Sequence, residues 1–397
     1  MLDCKYAHRL VHFDFKGAVP RLSYLEKILP LLTAWGATGV LLEYEDSFPF
    51  TGSLSQIPTS SAFSFSQVTE LLSLCKKNNL EVIPLVQTFG HLEFVLKHDS
   101  FRHLREMENF PNVLCPSHPA APDLVISLVT QVMELHPDSN YLHIGADEVW
   151  QMGKCSKCES EVKARGWNPD EIFLFWVRRI ASLIKEKYPQ ITLIIWDDML
   201  RNLSASKLVE YDMGKFVEPM VWKYEPTNFN LPPNMFETYS QVFDCLWGAS
   251  CFKGATGSTQ FLPPIQHHID NQLTWVSLLN EQQSKFKEVR GIVLTGWQRY
   301  DHYAVLCELL PVALPSLALC LKVLKVGSFT QEDHEAVSQE LGFKTRVNVF
   351  PFPRPQILET RMPSPGHRDL RIHPDVVQLR PQVPDHLQFR RNARLVQ

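Results

Sequence analysis

No apolar run in this 397-residue sequence reaches the roughly 20 residues that a membrane-spanning helix needs. The opening residues, MLDCKYAHRL, lack a basic segment followed by an apolar one, so the expected setting is cytoplasmic and/or nuclear. Cysteine is present but unpatterned. Nine of them, an odd number scattered through apolar segments, read as reduced thiols and not as a disulfide framework. Cys155 and Cys158 form a C-x-x-C, but no second ligand pair stands at a zinc-like spacing, so two plain thiols are expected there. Internal repeats are also missing, apart from the alternation described below.

Composition shifts near Phe350. The 47 residues from Pro351 onward hold eight prolines, eight arginines, no lysine and four acids, a formal +4 against −8 for the rest of the chain. Proline without hydrophobic periodicity predicts an extended or disordered tail, residues 346–397, behind one large domain, residues 1–345. The tail's basic excess has no aromatic interleaving and no recognised module beside it, so no nucleic-acid partner is expected.

The domain itself is rich in short apolar segments with β-branched and aromatic residues: Leu10–Phe15, Gly39–Glu45, Glu81–Gln87, Tyr141–Glu148, Thr192–Asp198, Glu218–Tyr224, Gln241–Trp247 and Gly291–Trp297. Helix-length material separates them. Phe65 to Lys77 places Val68, Leu71, Leu72 and Cys75 on one stripe, and Ile172 to Tyr188 does likewise with Phe175, Val177, Ile180 and Ile184. Eight near-continuous apolar runs alternating with helices predict a parallel sheet buried on both faces and closed into a (β/α)₈ TIM barrel, α/β in class. The link Leu200–Tyr211 is short and the link Ser250–Arg290 long, so the barrel is irregular.

Function in such a barrel collects at the carboxyl ends of the strands. The fourth segment ends in adjacent acids, Asp147 and Glu148. Extended residues alternate faces, so neighbours can converge on one ligand only where the strand runs out and the backbone turns over a rim. Two acids crowded there repel each other's charge, which lets one keep a proton while the other ionises. The bland alternative is a polar strand end feeding a loop. The last four segments each end on or near tryptophan: Trp196, Trp222, Trp247 and Trp297. One such ring could be a core filler, but four at equivalent places predict an aromatic wall on one side of the mouth. Indole faces suit the C–H face of a pyranose, while Asp14, Asp197, Asp301 and Glu308 are candidates for its hydroxyls.

H-x-G-x-D-E, here His143 to Glu148, together with HFDFKGAVP, QTFGHLEF and GWQRYDH, resembles the signature of the family 20 glycoside hydrolases, the β-N-acetylhexosaminidases, over about residues 8 to 325. The resemblance implies exo-hydrolysis of terminal β-linked GalNAc or GlcNAc with retention, assisted by the substrate's own acetamide, a scheme outside the two-carboxylate rule. It casts Glu148 as general acid and then base, and Asp147 as the acceptor for the acetamide N–H. His91 and His143 would orient the acids, a buried structural histidine being the rival reading for His143. The family's usual tyrosine on the seventh strand is replaced by Trp247 and Gly248, which leaves Tyr224 as its substitute. No cofactor and no metal are implied. The expected partner is an N-acetyl-β-hexosaminide glycoconjugate, with no membrane involved and a homodimer left open.

Two other classes compete. His12, Asp14, His91, His143 and Asp197 at strand ends could suit a metal-dependent barrel hydrolase, although the H-x-H pair usual on a first strand is missing. A catalytically silent sugar-binding barrel is the second, and the intact Asp147–Glu148 pair argues against it.

Overall fold

A computed structural model describes residues 6–349. Among the described residues there are ten strands: β1 His8–Asp14, β2 Gly39–Glu43, β3 Glu81–Leu85, β4 Arg105–Met107, β5 Phe110–Leu114, β6 Tyr141–His143, β7 Thr192–Trp196, β8 Val217–Trp222, β9 Cys245–Lys253 and β10 Glu288–Gly296. Eight are parallel and close into a barrel in the order β1-β2-β3-β6-β7-β8-β9-β10, with β10 returning to β1. The other two, β4 and β5, form a small antiparallel hairpin inserted between β3 and β6.

The outer helices follow from amphipathic patterning and local capping. Helix Phe65–Lys77 starts on a capping box in which Ser64 and Gln67 satisfy each other's backbone N–H, and it buries Val68, Leu71 and Cys75 against the sheet. Helix Pro169–Lys187 uses the same device with Asn168 and Glu171, and Val177, Ile180 and Ile184 form its buried stripe. The strands are buried on both faces, and the barrel interior is itself a packed core: Leu10, Leu41, Ile83, Ile194, Met220, Ala249 and Val293 fill its middle.

The seventh barrel strand corrects the sequence reading. It was expected to end at Trp247, but β9 begins at Cys245 and continues six residues past Trp247, to Lys253. The stretch GASCFK reads as loop because its small residues carry little strand signal, yet Gly248 is where the Trp275 ring presses on the backbone, 3.1 Å from where a Cβ would stand. Trp247 therefore sits at the amino-terminal end of the barrel. Its ring meets those of His8 and Tyr141 (centroids 4.9 and 5.5 Å apart), and its Nε1–H donates to Glu218 at 2.7 Å. It plugs the floor and does not line the mouth.

That placement makes a prediction with a built-in control. Trp247→Ala should cost about 3–5 kcal/mol of stability through the cavity it leaves, while KM for the substrate taken at the barrel mouth, measured well below the melting transition, should stay near wild type. A large KM change at unchanged melting temperature would return Trp247 to the mouth.

Residues 346–349, assigned to the tail by composition, run along the barrel: the Gln266 N–H donates to the Val349 carbonyl at 2.8 Å, and Val347 and Val349 are buried. The rest of the tail expectation, residues 350–397, lies outside the described residues.

Candidate active site

β6 is short because the chain leaves the sheet right after His143. Gly145 (φ 62°), Ala146 (φ 66°) and Glu148 (φ 51°) all adopt the left-handed region, turning the backbone over the rim. Gly145 is obligatory, since a Cβ there would lie 2.0 Å from Gln87 Oε1. Gln87, just past β3, secures this turn twice: its Oε1 accepts the Ala146 N–H and its Nε2 donates to Asp147 Oδ1, both at 3.1 Å. Strained backbone recurs around the mouth, at Glu45 (φ 47°), His91 (φ 51°) and Glu308 (φ 42°), as expected where packing over-determines a functional geometry.

The outcome is convergence of the two neighbouring acids. His91 Nε2 lies 3.4 Å from Asp147 Oδ2 and 3.4 Å from Glu148 Oε2. Burial disfavours a charge on His91, but the Asp147 carboxylate and hydrogen bonds to both acids override this and push its pKa well above the ordinary value. Burial likewise opposes ionisation of Asp147, and the His91 charge, with hydrogen bonds from His91 and Gln87, more than offsets it and holds the carboxyl below its usual range. Repulsion between neighbouring acids acts between Asp147 and Asp198. Burial first, and the Asp147 charge second, raise Asp198 to about 7. Asp198 Oδ2 accepts the Glu148 backbone N–H (2.9 Å) and Oδ1 accepts the Trp222 indole N–H (3.2 Å), so this one carboxyl braces both the acid loop and the aromatic wall.

These acids face an open cavity of about 830 Å³, the solvent at its mouth included. Trp196, Trp222, Trp297 and Tyr224 line it. Trp196 and Trp297 have ring centroids 5.9 Å apart, Trp222 stacks on Tyr224 at 5.3 Å, and the Trp297 Nε1–H donates to the Tyr224 hydroxyl at 3.2 Å. Burial keeps the Tyr224 phenol neutral, its pKa well above the usual value.

The remaining wall is charged. Lys16 reaches Asp14 at 2.9 Å and Glu45 at 3.5 Å, and His302 bridges Glu45 (3.1 Å) and Asp46 (3.4 Å). Burial opposes a charge on Lys16, yet Asp14, Glu43 and Glu45 together raise its pKa well above the usual value. Lys16, Glu45, Glu93, Arg299, Asp301 and His302 all border the cavity, an edge of donors and acceptors suited to several hydroxyls.

Of the residues read from sequence, Asp147, Glu148, His91, Trp196, Trp222, Tyr224, Trp297 and Asp301 come together at the cavity. Four do not. Trp247 lies at the barrel floor. Asp14 is buried beneath Lys16, which it pairs with while also accepting the Gln298 N–H at 2.8 Å. Asp197 is sealed by a two-pronged bond to Arg201 at 2.7 and 2.8 Å. Glu308 accepts the Gly254 N–H and so anchors the loop after β9. His143 sits below the rim, accepting the Gly145 N–H on Nδ1 at 3.0 Å and packing on Trp196 at 4.3 Å. Burial lowers its pKa to about 3, which fixes it as a neutral support. The five residues that could suggest a metal hydrolase are likewise dispersed: His12 pairs with Glu43 at 3.0 Å, Asp14 with Lys16 and Asp197 with Arg201.

Sequence reasoning passed over Gln87, Glu45, Asp198, Arg299 and His302. Asp198 had a usable signal, because Asp197-x-x-x-Arg201 is the i,i+4 spacing of an ion pair on a turn and leaves the second acid of the W-D-D run for other work.

Comparison with known proteins agrees with this geometry. The sequence profile of the glycosyl hydrolase family 20 catalytic domain matches residues 24–230. Hexosaminidase D of Bos taurus is 44% identical over 339 residues, 85% of this chain and 97% of that protein. Hexosaminidase D of Homo sapiens is 44% identical over 345 residues, 86% of this chain and 71% of that protein. In fold, a β-N-acetylhexosaminidase from Bacteroides fragilis superposes with a TM-score of 0.60 at 14% identity, covering 84% of this chain and 70% of that one. An exo-β-N-acetylglucosaminidase from Vibrio harveyi gives a TM-score of 0.59 at 14% identity, covering 83% of this chain and 55% of that one. With its barrel, its paired acids and an aligned length spanning most of the chain, this protein belongs to glycosyl hydrolase family 20 and is a glycoside hydrolase of the β-hexosaminidase type.

Proposed function

We propose that the enzyme removes terminal β-linked GalNAc or GlcNAc with retention, using the substrate's 2-acetamido oxygen as the nucleophile. The observation that carries this reading is the shared approach of Asp147 and Glu148 to one nitrogen of His91, 3.4 Å from each, opposite a wall of indoles. The two acids then stand close enough together to act on adjacent atoms of one sugar.

In the first step the acetamide oxygen attacks C1, the bond from C1 to the aglycone oxygen breaks, and the Glu148 proton passes to that oxygen. Ionised Asp147 accepts the acetamide N–H and balances the positive charge that spreads over the oxazolinium ring. The Tyr224 hydroxyl donates to the acetamide oxygen. In the second step Glu148, now a carboxylate, takes a proton from water as the water oxygen attacks C1 and the acetamide re-forms. Two inversions leave the β configuration intact. Trp196, Trp222 and Trp297 hold the acetamide against C1 and keep bulk water away, which raises the effective molarity of the internal nucleophile. Lys16, Glu45, Arg299 and Asp301, which line the cavity, supply the hydroxyl contacts.

Paired chromogenic galactosaminide and glucosaminide substrates test this. Both should turn over, their 2-hydroxy counterparts should lose activity by about 10³-fold or more for want of the internal nucleophile, and a thiazoline mimic of the cyclised intermediate should inhibit far more tightly than product. Rapid hydrolysis of a plain β-galactoside would overturn the acetamide-assisted scheme.

A further inference from the structure

Cys155 and Cys158 are not isolated in the fold. Glu106 on β4 and Cys115, the residue after β5, are packed against them. Cys115 Sγ lies 3.4 Å from Cys155 Sγ and 3.6 Å from Cys158 Sγ, and Glu106 Oε2 is 3.1 Å from Cys158 Sγ. All four donor atoms fall within 4.8 Å of one another. The other oxygen of Glu106 is held by the backbone N–H groups of Lys154 (2.5 Å) and Cys155 (2.9 Å), which aims Oε2 at the thiols. The Cys158 N–H donates to Cys155 Sγ at 3.4 Å, and Cys155 is the N-cap of helix Ser156–Arg165.

Two facts make this more than a cluster of thiols. Glu106 is buried and forms no ion pair among the described residues. A carboxylate taken out of water without a cation is costly, and two backbone N–H groups on one oxygen leave its partner oxygen facing only sulfur. The distances also fit a common centre. Zinc bonds of about 2.3 Å to sulfur and about 2.1 Å to oxygen, spread tetrahedrally, separate ligand atoms by roughly 3.6 to 3.8 Å. The observed 3.1, 3.4 and 3.6 Å separations are short of this by a few tenths of an ångström.

We propose that Glu106, Cys115, Cys155 and Cys158 form a structural zinc site that ties the β4–β5 hairpin to the loop descending from the catalytic acids. Three thiolates and one carboxylate complete a tetrahedron, which makes the site closed and structural. Zinc displaces the thiol protons on binding. The N-terminus of helix Ser156–Arg165 and the backbone donors to Cys155 and Glu106 favour the resulting negative charge. Only six residues separate Glu148 from Cys155, so the clamp fixes the far end of the acid-bearing loop. None of the four ligands borders the substrate cavity, and the proposal is independent of the reaction assigned there.

The test is made on the whole wild-type chain, expressed in a reducing cytosol and purified with reductant and without chelator. Elemental analysis should give about one zinc per chain, released in step with thiol modification by an organomercurial and detected with a chromophoric chelator. Cobalt exchanged into the site should show the intense visible bands and sulfur-to-metal charge transfer of tetrahedral thiolate coordination. Cys115→Ser and Glu106→Gln should weaken zinc binding by at least about tenfold and lower the melting temperature. Where either variant fails to fold, the wild-type metal content and cobalt spectrum still decide. Metal-free wild type that takes up neither zinc nor cobalt, or a disulfide joining Cys115 to Cys155 or Cys158 in protein alkylated at lysis, would overturn the proposal.

Discussion

Glu148→Gln is expected to lower kcat on a natural glycoside by about three orders of magnitude, about 4 kcal/mol of transition-state stabilisation, with KM near wild type. The substitution is close to isosteric and leaves the local structure a place to rest: the backbone N–H of residue 148 still donates to Asp198, and the φ of 51° is a property of the turn set by Gly145, Ala146 and Gln87. What is lost is the proton for the departing oxygen and the base for water. The size of the loss should therefore track the basicity of the leaving group. An alkyl or sugar alkoxide needs the proton, so its release slows by the full factor. A strongly acidic nitrophenol leaves unaided, so the first step survives, the phenol appears as a burst, and the steady state is limited by water attack on the oxazolinium. Equal losses for all leaving groups would mean that Glu148 does something other than move a proton, and unchanged turnover would remove it from the mechanism.

The reason this residue and Asp147 could be found in the sequence, while much of their support could not, is physical. Parallel barrel strands are buried on both faces, so each is written as an unbroken apolar run; six of the eight end within two residues of the run's end, while β6 stops five residues short, at His143. Trp247 shows the failure: β9 continues through GASCFK, whose small and polar residues pack as strand only because the Trp275 ring and the neighbouring strands fill the space beside them. The hairpin β4–β5, three and five residues long, is below the length at which alternation can be recognised, and with it went Glu106 and Cys115. Tertiary proximity also assigned the acids at strand ends. Asp14, Asp197 and Glu308 are as acidic and as well placed in sequence as Asp301, but the first two are claimed by Lys16 and Arg201 and the third by the loop at Gly254. Which cation meets which acid across the barrel mouth is not a local property. Asp198 could have been read from its spacing to Arg201, whereas the Lys16–Glu45–His302 set, joining three separate loops, could not.

Asp147→Asn is expected to cost a further large factor, about 10²–10³ in kcat, for a reason distinct from proton transfer. The acetamide N–H still finds an oxygen on the asparagine, so ground-state binding of substrate should change little. The oxazolinium, however, loses its counter-charge inside a wall of indoles where water cannot replace it. A thiazoline inhibitor that carries this charge should lose affinity by a factor close to the loss in kcat, while product affinity stays within a few-fold. A second readout follows from the charges around the site. Asp198 is held at about 7 by burial and by the Asp147 carboxylate, and it accepts the indole N–H of Trp222. In wild type its ionisation should appear as a change in tryptophan fluorescence centred near pH 7, and removing the Asp147 charge should move that transition toward acid. His91 gives the stability side of the same substitution. Its folded pKa is raised, so its contribution is fully present below the unfolded value and is lost as pH rises through the folded one. The variant keeps only the part that Glu148 and Glu93 supply, so the stability gap between the two proteins should narrow with rising pH. An inhibitor that binds the variant as tightly as wild type, with kcat reduced, would show that Asp147 positions the sugar without answering its charge.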